Sequence, residues 1–173
     1  MAKVLFYDIE TAPNLAYVWG HYDQNVIQQF REWYMMCFSY KWEGTQTTKV
    51  VSLPDFDLYD KDPENDREVV QALWDLIDEA DVVVAHNGNK FDMRKANARF
   101  VAHHMEPPAR PQQVDTLKVA RQYFMFNSNK LGDLGEHLGL GNKEATGGFG
   151  LWKGCMLGEE KSWRIMKKYA KQD

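Results

Sequence analysis

Asp8 and Glu10 stand two residues apart in the apolar run Val4-Leu5-Phe6-Tyr7-Asp8-Ile9-Glu10. On a β-strand successive side chains alternate between faces, so both carboxylates point the same way. Two like charges about 4 Å apart, at an effective dielectric near 20, repel by on the order of 4 kcal/mol. Such a pair is either solvated at a strand end or holds a cation, and these two residues alone leave both readings open.

A second acid follows Val82-Val83-Val84, a short apolar run of the kind buried in a sheet centre. In Ala85-His86-Asn87-Gly88-Asn89-Lys90-Phe91-Asp92, Asn87-Gly88 supplies a tight turn and Asp92 opens a helix. Asp92 fits an ordinary helix cap. It also fits a catalytic acid, because ligands in open α/β sheets gather at the carboxyl ends of the strands. At the end of the chain, Tyr169 and Asp173 are four residues apart and share one face of a helix. A core tyrosine beside a surface aspartate would give the same pattern.

The elements that must position these groups follow from periodicity. Strands are expected over Lys3 to Ile9, Tyr34 to Trp42 and Thr47 to Leu53, with Glu43-Gly44-Thr45 as a hairpin turn. Asp55 to Asp66 reads as a solvated acidic loop. Asp66 is placed to cap a helix running to about Ala80, with Val69, Val70, Leu73, Leu76 and Ile77 on one face. Further helices are expected over Asp92 to His104, in parts of Val114 to Tyr123 and Lys130 to Leu138, and over Glu159 to Gln172. Asn142 to Gly154 is rich in glycine and reads as a surface loop. Early strands followed by strand–helix alternation predict one α/β domain over residues 1–173, with a mixed sheet.

Composition narrows the class. The chain has 173 residues, 44% hydrophobic and 27% charged, as in a globular enzyme. Its apolar runs are too short to span a bilayer, so no membrane partner is expected. Cys37 and Cys155 are the only cysteines, which suits a reducing, cytoplasmic setting without a disulfide framework. The net charge of −4 argues against a general nucleic-acid coat, but not against a nuclease whose acids bind cations.

Taken in order, Phe6-Tyr7-Asp8-Ile9-Glu10-Thr11, the Asn-Gly…Phe-Asp segment ending at Asp92, and Tyr169-Ala170-Lys171-Gln172-Asp173 resemble the three motifs of the DEDD superfamily of 3′–5′ exonucleases. That superfamily has the DnaQ-like, RNase H-like fold. Asp115-Thr116-Leu117, Asn129-Lys130-Leu131 and His137-Leu138-Gly139-Leu140 resemble segments between its second and third motifs. A tyrosine at 169, with Lys168 where the other branch has histidine, resembles the DEDDy branch.

The resemblance implies an RNase H-like mixed sheet flanked by helices and an exonuclease that uses two divalent ions, Mg²⁺ or Mn²⁺. Asp8, Glu10, Asp92 and Asp173 would be the metal ligands, Asp92 through a bound water or at longer range. Tyr169 would complete the catalytic set by orienting the attacking water. Thr11, Ala12, Asn87 and Phe91 are implied substrate contacts, although Phe91 fits core packing slightly better. The implied partner is single-stranded or frayed DNA, with RNA as the alternative, and a DNA polymerase or other replication protein in a bacterial or phage setting. A catalytically silent interaction module on the same fold is a further alternative. In the family the last acid usually has more chain beyond it, which implies either a chain cut short or a ligand at a terminus.

Other residues invite weaker readings. Lys90, Lys130 and Lys143 are either phosphate contacts or solvated lysines. His86 has the position but not the motif of a general base. His103-His104 reads as surface at a helix end. Gly147-Gly148-Phe149-Gly150 lacks the Lys-Ser/Thr ending of a phosphate loop and reads as a flexible border to the cleft, with Trp152 free to touch substrate.

Overall fold

The computed structural model describes residues 2–141 and 147–172. In chain order the strands are β1 (Val4–Thr11), β2 (Leu15–Tyr17), β3 (Gln28–Arg31), β4 (Met35–Trp42), β5 (Lys49–Ser52), β6 (Val82–Ala85) and β7 (Gln112–Asp115). The helices are α1 (Arg67–Glu79), α2 (Asp92–Ala102), α3 (Thr116–Tyr123), α4 (Leu131–His137), α5 (Phe149–Met156) and α6 (Glu160–Gln172). Five strands form one sheet in the order β5-β4-β1-β6-β7, and β2 pairs with β3 in a separate ribbon. β4 is antiparallel to β1 and β5, whereas β6 is parallel to β1 and β7. The expected α/β fold, a mixed sheet flanked by helices, is what the chain adopts.

The layers follow from side-chain alternation. Leu5, Tyr7 and Ile9 of β1 are buried on one face, and Phe6, Asp8 and Glu10 point to the other. Register puts Lys41, Ser39 and Cys37 of β4 opposite Phe6, Asp8 and Glu10. Met35 to Ser39 are buried on both faces, as a central strand requires. α1 packs on α2, β4 and β5, burying the stripe Val69, Val70, Leu73 and Ile77. α6 packs on α5, β1, β4 and β5, burying Trp163, Met166, Tyr169 and Ala170. Lys167 of α6 holds Asp55 at 2.5 Å, and the Trp163 ring N–H donates to the Tyr59 hydroxyl at 2.9 Å.

Three expectations need correction. Asp66 does not cap α1 with its side chain. Its carboxylate is fully buried and accepts from Arg99 Nε (2.7 Å) and Nη2 (2.5 Å), and from the Met35 N–H (2.7 Å). His103 Nε2 lies 2.6 Å from the same carboxylate, so His103 belongs to this cluster and not to the open surface. A buried acid cannot remain without such partners, and this one ties β4 to α1 and α2.

Second, the stretch beginning at Val114 is strand through Asp115 before α3 starts, and the ribbon β2–β3 occupies a segment to which the sequence reading assigns no element. Third, the glycine-rich stretch becomes helical from Phe149. A Cβ on Gly154 would lie 2.1 Å from the Ser162 hydroxyl oxygen, so glycine here permits α5 and α6 to touch. No helix among the described residues is long and apolar enough to cross a membrane.

Candidate active site

β1 outruns its parallel neighbour. Its pairing with β6 covers Val4 to Phe6, after which β6 ends at Ala85 and the chain turns away. Asn87 adopts a left-handed φ of 65°, and Gly88 follows so closely that a Cβ there would lie 2.5 Å from the Ala85 methyl. The Asn87 carbonyl accepts from the N–H groups of Lys90 and Phe91, and the Gly88 carbonyl from Met93. This turn delivers Asp92, the first residue of α2, to the uncovered edge of β1. There its Oδ1 accepts the Ile9 N–H at 3.1 Å.

Asp92 is 1% exposed. Burial pushes its carboxyl up to about 6 against the downward pull of the Ile9 N–H and its own backbone N–H, and the Asp115 charge pushes the same way as burial. Asp115 is buried at the end of β7. It accepts from Asn87 N–H (3.0 Å) and Asn89 N–H (3.3 Å), and caps α3 through Leu117 and Lys118. One carboxylate thus fixes both the turn before Asp92 and the start of α3. An aspartate directly before a helical run is the sequence signal of a cap, but its hold on the 86–91 turn depends on the β6–β7 pairing.

Asp8 lines an open cleft of about 320 Å³. Ser39 and Lys41 of β4 form one wall, His86 and Thr116 another, and Lys171 and Gln172 bring in the last turn of α6. Glu10 is half-buried further along the same face, where its charge and burial both hold the Cys37 thiol well above its usual range, burial being the larger cause. Tyr169 is buried, its ring edge-on to Trp152 at 5.9 Å. Trp152 therefore packs on Tyr169 and the core, contrary to the loop reading. Asp173 and Lys143 lie outside the described residues.

The implied substrate contacts differ in exposure and surroundings. Thr11 ends β1 and Ala12 is buried, its N–H donated to the Tyr34 carbonyl at 2.9 Å. Phe91 is 40% exposed, which contradicts the core-packing reading, and Lys95 sits 5.8 Å from its ring and 3.6 Å from that of Trp33. Asn87 and His86 border a second groove with Arg121, Asn129 and Lys130. His86 engages both ring nitrogens, with Thr116 Oγ1 at 2.9 Å and the Asn129 carbonyl at 3.0 Å, which suits a strut more than a base. Lys41 and Lys171, not singled out from sequence, line the cleft together with Asp8. Only strand register and the packing of α6 bring them there.

The donor set is made of hard carboxylate oxygens, which suit Mg²⁺ or Mn²⁺. Among the described residues, no three His, Cys, Asp or Glu side chains are grouped closely enough to hold a metal ion. The fourth expected ligand, Asp173, is not among them.

A family model for the RNase_H superfamily matches residues 39–173. The chain belongs to that superfamily. The fold is also similar to a family B DNA polymerase from the hyperthermophilic archaeon Pyrobaculum calidifontis, at a TM-score of 0.68 and 16% identity. The match covers 98% of this RNase H-like chain and 23% of the polymerase chain, so this chain spans about a quarter of that protein. No curated protein matches the sequence. Membership of the RNase_H superfamily makes the Asp8 cleft the candidate nuclease site.

Proposed function

We propose that the chain is a divalent-metal-dependent 3′–5′ exonuclease of the DEDDy type, acting on single-stranded or frayed DNA and releasing nucleoside monophosphates. The observation that supports this reading is the approach of two distant segments to β1, each beside or next to Asp8. Asp8 lies in a cleft that the last turn of α6 reaches, and Asp92 binds the backbone one residue further along β1.

Asp8, Glu10 and Asp173 would hold the metal, with Asp92 acting through water or at longer range. Bound divalent ions would supply an activated water and a counter-charge for the leaving oxygen. Burial around Asp92 leaves a carboxyl that favours protonation unless a cation is near, which is the electrostatic state a metal relieves. Tyr169 would orient the attacking water through its hydroxyl. A free tyrosine has a pKa near 10, so it positions the water and does not deprotonate it. Lys41 and Lys171 would meet phosphate in the cleft.

The groove beside His86 carries Arg121 and Lys130, and the segment between its lining residues Arg121 and Asn127 includes exposed Tyr123, Phe124 and Met125. Cations together with stackable faces suit a single strand of any sequence. DNA is preferred to RNA because one similar solved structure is that of a DNA polymerase, and the same likeness supports a role beside a polymerase.

Digestion of matched 5′-labelled DNA and RNA oligonucleotides tests the proposal. A ladder shortening from the 3′ end, dependent on Mg²⁺ or Mn²⁺ and stopped by chelator, is expected on DNA. Internal fragments only, or no metal dependence, would refute it.

A further inference from the structure

The ribbon β2–β3 and its connection, residues 15–31, show an apolar surface that the body of the molecule leaves uncovered. Trp19 is 89% exposed, Tyr22 84% and Phe30 67%, with Tyr17, Val18 and Ile27 exposed beside them. Summed over all sides of the arm, these six residues expose on the order of 900 Å², most of it from the aromatic rings. A typical monomer's largest apolar patch is about 300–600 Å². An isolated two-stranded ribbon is also marginal in water. Among the described residues, this ribbon's side-chain hydrogen bonds and ion pairs to the rest of the chain lie near its root. The Asn14 side-chain oxygen accepts the Trp33 N–H at 2.9 Å and the Gln29 amide at 3.3 Å, and Arg31 pairs with Glu64.

We propose that this arm docks a second copy of the same chain. The exposed area matches the roughly 800 Å² per partner that a standard protein interface buries. Charge points the same way. From Leu15 to Trp33 the only formal charges are Asp23, Arg31 and Glu32, and Arg31 is already paired. A nearly uncharged apolar face can meet its own copy about a two-fold axis without like-charge repulsion, even though the chain as a whole carries −4. In the two-stranded ribbon each strand also has one edge without a strand partner, so two ribbons can join edge to edge. Nucleic acid is the poorer occupant. The segment has no lysine, and strand binding depends on cations beside the aromatic faces. The proposal stands apart from the nuclease reading.

Light scattering coupled to size exclusion tests it on the full chain across a dilution series. The wild type is expected at twice the chain mass, dissociating on dilution. The double variant Trp19→Glu, Tyr22→Glu should run at the single-chain mass throughout with an unchanged far-ultraviolet CD spectrum. The milder Ile27→Lys, expected to shift the dilution midpoint upward, provides a second reading should the double variant unfold. Val101→Glu, on an exposed part of α2 outside the arm, should leave the dimer intact. A wild type monomeric at every concentration overturns the proposal, as does a dimer that survives the arm substitutions. Shielding of the arm from hydroxyl-radical footprinting only when single-stranded DNA is added overturns it too, in favour of nucleic acid.

Discussion

At the scale of single residues, the carboxylates are set up for different tasks by their surroundings. Asp8 faces a cleft, whereas Asp92 is sealed against the edge of β1 and pushed up to about 6. Because the folded protein binds this proton more tightly than the unfolded chain, the metal-free fold loses stability as pH rises from about 4 through 6. The rise from the ordinary 3.8 corresponds to about 3 kcal/mol. Asp92→Asn keeps an oxygen for the Ile9 N–H and carries no charge. In chelator it should melt higher than wild type at pH 7, with a flatter profile below, as calorimetry across pH would show; a lower melting temperature contradicts this. Asp8→Ala should abolish cleavage and leave the CD spectrum and melting temperature unchanged or raised. Tyr169→Phe preserves the contact with Trp152 and should slow turnover about tenfold or more with little change in metal affinity. Full turnover would remove Tyr169 from the mechanism.

At the scale of elements, one glycine fixes where Asp92 arrives. Gly88→Ala places a methyl 2.5 Å from that of Ala85 and forces the turn ahead of α2 to move. A loss of about 1–3 kcal/mol is expected from urea unfolding, with cleavage falling further than stability alone explains. The same elements show what was legible in the sequence. β1, β4 and β6 are written in apolar runs, α1 and α6 in helical stripes, and the Asn87-Gly88 turn in its residue types. β7 was missed because Gln112 and Gln113 give an edge strand no apolar pattern. α5 reads as a loop in sequence because its glycines signal a turn, whereas Gly154 serves contact with α6. The positions of Asp8, Glu10 and Asp92 could be nominated from motif spacing. Asp115's grip on the turn could not, because its partners lie 26 and 28 residues away and meet it only through the sheet.

At the scale of the whole molecule, the sheet and its two helical layers make one body, and Asp66 is a junction within it. Asp66→Ala leaves Arg99 and His103 facing a cavity without their anion. Breaking such a buried pair costs about 3–5 kcal/mol, which urea titration would register as a lower midpoint; an unchanged midpoint would show that the cluster adds nothing. The central claim is that acids from the start, middle and end of the chain serve one cation site. Anomalous diffraction from a crystal soaked in Mn²⁺ tests this most directly. A peak within ligand distance of Asp8, on the side of β1 facing the last turn of α6, is the predicted result. Ordered Asp8 and Glu10 carboxylates with no anomalous density beside them would contradict it.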